Sequence, residues 1–280
     1  MRINKRLKGL MLELIPFKIL QGFKKIHYLR TLKFASESYE SDLTVIKHLV
    51  NAGDYVIDIG ANIGVYTKIL SEIVGRDGRV FSIEPISFTF DILKSNVSKL
   101  NLRNVELINS AISDIDAIFT MEIPKYEFGG ENFYQAKIVN KKIDSRLRLE
   151  KVEAKRLDKM FSDISHRISF IKCDVEGHEL PCLKGAINII KKSRPAWLIE
   201  ISGEPNDTES SAFDTFKLLE KNGNYKAFWF DGKKLYERGV GDKSVNYFFL
   251  SSDHIRILKE KSLLDFNSEK SIASSVLNKA

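Results

Sequence analysis

The chain has 280 residues, 43% hydrophobic and 29% charged, which suits one substantial globular domain with extensions. Its formal net charge of +7 is unevenly placed: residues 1–34 hold Arg2, Lys5, Arg6, Lys8, Lys18, Lys24, Lys25, Arg30 and Lys33 against Glu13 alone, and the remainder is −1. A basic balance confined to an arm argues against nucleic-acid binding by the body. Cys173 and Cys182 are too few for a disulfide framework or a zinc set, so a cytoplasmic protein is expected. Glu13, Pro16 and Lys18 interrupt the early apolar segment, which therefore does not read as a secretory signal. No stretch reaches the roughly 18 apolar residues of a membrane span.

Residues 1–35 form a basic arm that interleaves its charges with Leu7, Leu10, Met11, Leu14, Ile15, Phe17, Ile19, Leu20 and Phe23, partly at helical spacing, with Pro16 as a break or kink. Two readings are open. The segment can make peripheral contact with an anionic membrane, gaining about 1 kcal/mol per basic residue near the lipid. Alternatively, short helices pack their apolar face on the domain and leave a basic face in water.

The main domain is expected over residues 36–252. Residues 36–50 read as a lead-in helix, capped by Ser41 or Asp42 and buried through Leu43, Ile46, Leu49 and Val50. Tyr55, Val56, Ile57 and Ile59 make a buried strand, Gly60 and Gly64 a tight turn, and Val65–Val74 a helix. A second strand runs over 79–83 and ends on Glu84-Pro85; then come a helix at 87–100 and a strand at 105–109. This β-α-β-α-β order with short loops predicts an α/β fold, a doubly wound, mainly parallel sheet with right-handed crossovers. Strands over 117–123 and 152–156 bracket an irregular middle. Strand 168–174, helix 180–192, strand 195–201 and helix 208–222 follow. Strands at 225–230 and 245–250 suggest an antiparallel hairpin at one sheet edge. Residues 253–280 read as one helix and a mobile tail.

A strand that feeds a helix through a glycine turn points backbone N–H groups and a positive helix end at a ligand. The dinucleotide fingerprint shares this geometry as G-x-G-x-x-G. Here Asp58 precedes the first glycine and Asn62 stands where the second glycine would be. A carboxylate beside the turn repels a pyrophosphate and suits a cationic, hydroxyl-rich ligand, which favours S-adenosylmethionine over NAD. Open α/β sheets bind ligands at the carboxyl ends of their strands. Those ends carry Asp58, Glu84, the Ser110-Ala111 turn, Asp174 with Glu176, and Glu200. An acid at Glu84 can accept both ribose hydroxyls. Asp174, Glu176, His178 and Glu179 crowd one loop, where mutual repulsion raises carboxylate pKa values and His178 is a candidate general base.

These stretches resemble the FkbM family of S-adenosylmethionine-dependent methyltransferases over roughly residues 38–250. The likeness rests on Asp58-Ile-Gly-Ala-Asn-Ile-Gly64 with Tyr66-Thr67, on Glu84-Pro85, Asn96-Val97 and Ser110-Ala111-Ile112-Ser113-Asp114. It continues through Lys172-Cys-Asp-Val-Glu-Gly-His-Glu179, Leu183-Lys184-Gly185, and Arg194-Pro195 leading into Glu200. The resemblance implies the Rossmann-like class I methyltransferase sheet of seven strands with a reversed last strand. It implies that Asp58, Gly60, Asn62 and Gly64, with Ala61 beside them, hold the methionine part. Glu84 with Pro85 would hold the ribose, Ser110 and Ala111 would border the adenine, and Asp174 and Glu176 would face the methyl group and acceptor. It further implies O-methylation, often of sugar hydroxyls in polysaccharide biosynthesis or of small metabolites.

In-line methyl transfer to a hydroxyl needs positioning, which can lower the barrier by roughly 7–11 kcal/mol. It also needs a base, for which Asp174, Glu176, His178 and Glu200 are candidates. A divalent metal on these carboxylates is compatible with oxygen-ligand chemistry but is not the favoured reading. The rivals are a nicotinamide-dependent oxidoreductase and a non-catalytic, membrane-associated adaptor on the same fold.

Overall fold

Hydrophobic periodicity decides the layers of this molecule. The computed structural model describes residues 17–34, 40–126, 131–139, 147–242 and 244–265. Its first half runs through α1 (Phe17–Phe34), α2 (Leu43–Leu49), β1 (Tyr55–Ile59), α3 (Val65–Val74), β2 (Arg79–Ile83), α4 (Ser87–Lys99) and β3 (Val105–Ile108). A middle region follows, with β4 (Ala111–Ile112), β5 (Ala117–Ile123), a single 3-10 turn at Phe133–Gln135, β6 (Lys137–Ile138) and β7 (Arg148–Lys155). Then come α5 (Leu157–Met160), β8 (Ile168–Cys173), α6 (Glu179–Lys184), α7 (Ile187–Lys192), β9 (Ala196–Glu200) and α8 (Ser211–Gly223). The last elements are β10 (Lys226–Phe230), β11 (Leu235–Glu237), β12 (Asn246–Leu250), α9 (Ser252–Glu260) and β13 (Leu264–Asp265).

Among the described residues the main sheet has nine strands, in the order β13-β11-β10-β12-β9-β8-β1-β2-β3. From β3 to β9 every pairing is parallel, while β12 runs antiparallel to both neighbours, β9 and β10. The two late strands are thus antiparallel as expected, but they do not close an edge. β12 inserts between β9 and β10, and β11 and β13 lie outside them. Both faces of these strands are covered, and alternation sorts their side chains. Ile57, Ile59, Ile171, Cys173, Trp197 and Ile199 pack with Leu183, Ile190 and Leu219 of the helices on one side. Val56, Phe170, Leu198 and Phe248 pack with Leu43, Ile46, Leu70 and Leu258 on the other.

The irregular middle forms a second sheet, β4-β7-β5-β6. Its Met121, Ile123, Val152 and Ala154 pack with Ile63, Ile86, Phe88 and Ile92, which lays it over the carboxyl end of the main sheet. The expected strand at 152–156 begins earlier, at Arg148, because β7 pairs along all of β5. Of the expected lead-in helix, residues 36–39 lie outside those described. The Asp42 carboxylate makes no cap and instead accepts from Asn246 Nδ2 at 3.0 Å.

The helix expected over 180–192 is two helices, broken at Gly185-Ala186. A Cβ on Gly185 would lie 2.0 Å from the carbonyl oxygen of Ser113, so only glycine admits this approach. Asp158 then receives the second helix: its carboxylate accepts from Asn188 and Ile189 N–H at 2.8 and 3.0 Å. A carboxylate on first-turn N–H groups is the favourable arrangement for a helix start.

Gly185→Ala must therefore displace Ser113 or the helix break, and is expected to cost about 1–3 kcal/mol, the range for overpacking. Urea denaturation should show a lower midpoint at an unchanged m-value; an unaltered midpoint would refute the contact.

Candidate active site

The site starts from a backbone contact. Gly60 takes φ of 73°, and a Cβ there would lie 1.8 Å from the carbonyl oxygen of Asp174. The turn after β1 and the loop after β8 therefore touch through bare backbone, with Asp174 N–H donating to Ile59 O at 3.1 Å. Gly60 and Ala61 N–H both donate to Ile83 O, tying the turn to the end of β2. Asn62 is left-handed at φ 53°, and its N–H donates to Glu84 Oε2 at 2.9 Å.

Glu84 is buried at the end of β2. Its Oε1 accepts from Ile86 N–H at 3.0 Å and from Thr89 Oγ1 at 2.7 Å. A carboxylate offers about four acceptor positions, so roughly one stays open, on Oε2. That corrects the expectation that Glu84 serves both ribose hydroxyls: its own protein holds the other positions. Burial pushes its pKa up to about 7 against the pull of those donors.

Alternation along β1 sends Asp58 to the face covered by α3, the face that Val56 shares. Its Oδ2 accepts from Thr67 Oγ1 at 2.7 Å, while Oδ1 is buried without a partner. In register beside it on β8 is Lys172. The Lys172 ammonium donates to Asp174 Oδ2 at 3.0 Å and lies 5.1 Å from the centre of the Tyr66 ring. Burial alone would depress this ammonium, yet the Asp174 and Asp58 carboxylates outweigh it and hold its pKa above the ordinary value. Lys172 was overlooked as a site residue in the sequence. The available signal was a lone charge inside an apolar strand, at the same alternation position as Asp58.

A cleft opens at the carboxyl ends of β1, β2 and β8 beneath the second sheet. Gly60, Asn62, Glu84, Pro85, Ser110, Ala111, Asp174, Glu176 and His178 all line it, so the structure brings most of the expected residues together. Asp58, Ala61, Gly64 and Glu200 are not among its lining residues. Asp58 lies fully buried below the turn, and Gly64 precedes α3 with its space taken by Leu93. Glu200 is half-buried, its pKa raised by burial and by Asp174. Ser110 meets the cleft with its hydroxyl already committed, its single proton shared between the carbonyls of Ala111 and Glu153, each 2.9 Å away.

His178 precedes α6 and packs its ring edge on Phe119, 5.8 Å between centroids. Its Nε2 lies 3.0 Å from Ser113 Oγ, and that hydroxyl lies 3.1 Å from Asp114 Oδ1. The carboxylate can only accept, so the single Ser113 proton goes to Asp114. The imidazole must then donate through Nε2–H, which leaves the lone pair on Nδ1. Burial lowers the His178 pKa, with Asp114 opposing, so the ring is neutral at pH 7. Glu176, left-handed at φ 52°, has its carboxyl raised by burial, Asp174 and Glu200. Glu179 is buried, accepts from Gly177 N–H at 2.8 Å, and is pushed up to about 7, chiefly by burial. Cys173 and Cys182 are free thiols with their sulfurs 3.7 Å apart under this loop. Among the described residues, no group of three or more His, Cys, Asp and Glu could hold a metal ion.

The order β3-β2-β1-β8-β9-β12-β10, with β12 reversed, a glycine turn after the first strand and an acid after the second, is the architecture of class I methyltransferases. The Methyltransferase FkbM domain matches residues 58–226. The chain belongs to the FkbM methyltransferase family. It is similar to a protein-L-isoaspartate O-methyltransferase of Methanococcus maripaludis, 36% identical over 59 residues, which are 21% of this chain and 28% of that protein. It is also similar to methyltransferase 1 of Beauveria bassiana, 24% identical over 144 residues, covering 47% and 57%. The chain thus spans between about a quarter and just over half the length of these curated relatives. Among solved structures, an FkbM methyltransferase of Methylobacillus flagellatus is 18% identical, with 70% of this chain and 43% of that one covered at a TM-score of 0.45.

Glu84 and Glu179 have folded pKa values raised from 4.5 to about 7. The folded state then holds protons that the unfolded state has released. Their contribution to stability is complete below about pH 4.5 and is lost as pH rises through about 7. Stability measured by urea denaturation across that window should fall, and Glu84→Gln should make the fall shallower. An unchanged slope would count against the buried, raised carboxyl.

Proposed function

We propose that this protein transfers a methyl group from S-adenosylmethionine to a hydroxyl, on a sugar of a glycan or on a related small metabolite. One observation carries the reading: a single cleft joins the acid-and-glycine cradle of β1 and β2 to a neutral, oriented histidine on the loop after β8. The residues present fit the cofactor. Asn62 is one of the cleft residues, and its Oδ1 is buried without a partner. The open Oε2 position of Glu84 suits one ribose hydroxyl, and the apolar wall of Ile83, Ile86 and Ile112 beside Ser110 and Ala111 suits a flat base. When bound, S-adenosylmethionine supplies an electrophilic methyl group and a positive charge.

The chain's own part is to hold the acceptor and remove its proton. His178 Nδ1 takes the hydroxyl proton as the oxygen becomes the nucleophile, and Ser113 and Asp114 keep the ring in the tautomer that allows it. Asp174 is not assigned as the base, because its Oδ2 is held by the Lys172 ammonium at 3.0 Å. Its charge, with that of Glu176, instead gives the cleft floor a negative character that complements a sulfonium. Asp58 supports the turn from beneath, through Thr67. The dinucleotide reading lacks support at this site, since the acids there oppose a pyrophosphate.

Calorimetric titration tests the cofactor assignment. S-adenosylmethionine is expected to bind and NAD not to, and Glu84→Ala should weaken binding by about tenfold, the loss of a hydrogen bond. Affinity for NAD alone would sink the assignment. Methyl transfer assayed on cell-surface glycan precursors, lipids and small metabolites identifies the acceptor. On that acceptor, His178→Ala should lower kcat by about 10²–10⁴-fold with cofactor affinity retained. The acid limb of the kcat profile should fall below the ordinary histidine value of 6.5, because burial lowers this imidazole. Full turnover in His178→Ala with loss in Glu176→Gln would move the base to Glu176.

A further inference from the structure

An ordinary surface helix buries its apolar side chains, and α1 does so only in part: Leu32 is fully buried. The side that meets α4 and the second sheet includes polar groups. Gln21 donates to Asp91 Oδ2 at 3.1 Å, and Tyr28 packs edge-on against Tyr134 at 5.7 Å between centroids. Lys24 Nζ lies 5.1, 5.7 and 5.3 Å from the ring centres of Phe88, Phe133 and Tyr134. The opposite side carries Ile19, Phe23, Ile26 and Phe34, exposed by 52, 63, 52 and 84%. Helical spacing puts these four on one face with the exposed Arg30 and Lys33. The helix does pack on the domain, with Leu32 in the contact, but its outer face is not purely basic: four apolar side chains stand there with Arg30 and Lys33.

We propose that this outer face of α1 docks on an anionic lipid bilayer. Charge chooses the occupant. Arg30 and Lys33 lie among the exposed apolar side chains, and residues 1–16, which lead straight into α1, add Arg2, Lys5, Arg6 and Lys8 against Glu13. A stripe of aromatic and branched aliphatic side chains mixed with cations is what inserts at the boundary between headgroups and acyl chains. Two copies paired through this face would bring two basic stripes together, a repulsion that an anionic surface turns into attraction. Contiguous exposed apolar surface of this kind marks an interaction site.

The docking face and the active site share a wall. Phe133 and Tyr134, gripped by Lys24 and Tyr28 on one side, line the cleft on the other. Resting α1 on a bilayer therefore holds the cleft beside the lipid surface, where the fitting acceptor is a hydroxyl presented by a membrane-carried molecule. This last point rests on the methyl-transfer reading, whereas the docking itself does not.

The test is co-sedimentation of the full chain with phosphatidylcholine vesicles, with and without phosphatidylglycerol. Binding is expected only to the anionic vesicles and should be weakened by added salt. The double variant Phe23→Glu/Ile26→Glu should lose that binding while its calorimetric affinity for S-adenosylmethionine stays unchanged. Should that variant lose its fold, Arg30→Glu/Lys33→Glu takes its place with the same expectation. Absence of wild-type binding, equal binding to uncharged vesicles, or undiminished binding by the variants overturns the proposal. So does a wild-type dimer that the variants convert to a monomer, which would assign the face to a second copy. A docking failure leaves cofactor affinity untouched, so it is distinguishable from failure of the methyl-transfer reading.

Discussion

The bare-backbone contact of Gly60 with the carbonyl of Asp174 is the constraint on which the rest of the site depends. Any side chain at position 60 would overlap that oxygen. Without one, β1 and β8 can end at the same level, and the glycine turn and the acidic loop share a single cleft. The N–H groups of Gly60 and Ala61 extend the contact to β2 through Ile83. Three strand ends are thereby locked together, and each carries a carboxylate that water would otherwise solvate.

Bringing those carboxylates out of water has a cost, and Lys172 offsets it. Asp58, Glu176 and Glu200 gather around Asp174 at the ends of three adjacent strands, β1, β8 and β9, and burial raises the pKa of each of the three. One ammonium, in register with Asp58 and paired with Asp174, supplies the compensating charge. Asp58 is fully buried, so removing Lys172 would leave its charge without compensation. On the His178 side of the cleft the balance is struck differently. There His178 is neutral, and its proton is placed by Ser113 and Asp114 rather than by a carboxylate pressed against the ring.

Much of the scaffold was legible in the residues. The ranges expected for α3, β2 and β5 coincide with those observed, because strong periodicity and glycine punctuation leave little freedom there. Most of the polar residues lining the cleft could also be named, since a parallel sheet presents its ligand at its strand ends. The break between α6 and α7 could not be read locally: Gly185 looks like an ordinary helical glycine until Ser113 arrives against it. For the same reason the Ser113–His178 contact, between residues 65 apart, was out of reach although both residues had been noted. The second sheet was visible only as two strands around an irregular stretch, because its shorter members pair through few residues. The place of β12 inside the sheet was hidden too, since a hairpin signal states who pairs but not which strand takes the edge.

The sequence by itself determined the parallel α/β scaffold, the glycine turn, and the carboxylates waiting at the strand ends. Those follow from side-chain periodicity, from the conformational freedom of glycine, and from residue identity, all of which are local. Tertiary structure alone decided which polar atoms meet: Asp58 with Thr67 and Lys172, Glu84 with its three donors, and His178 with Ser113. It also decided which face of α1 looks outward. Hydrogen-bond partners and exposure depend on what folds against a residue, and that is settled by packing between distant segments.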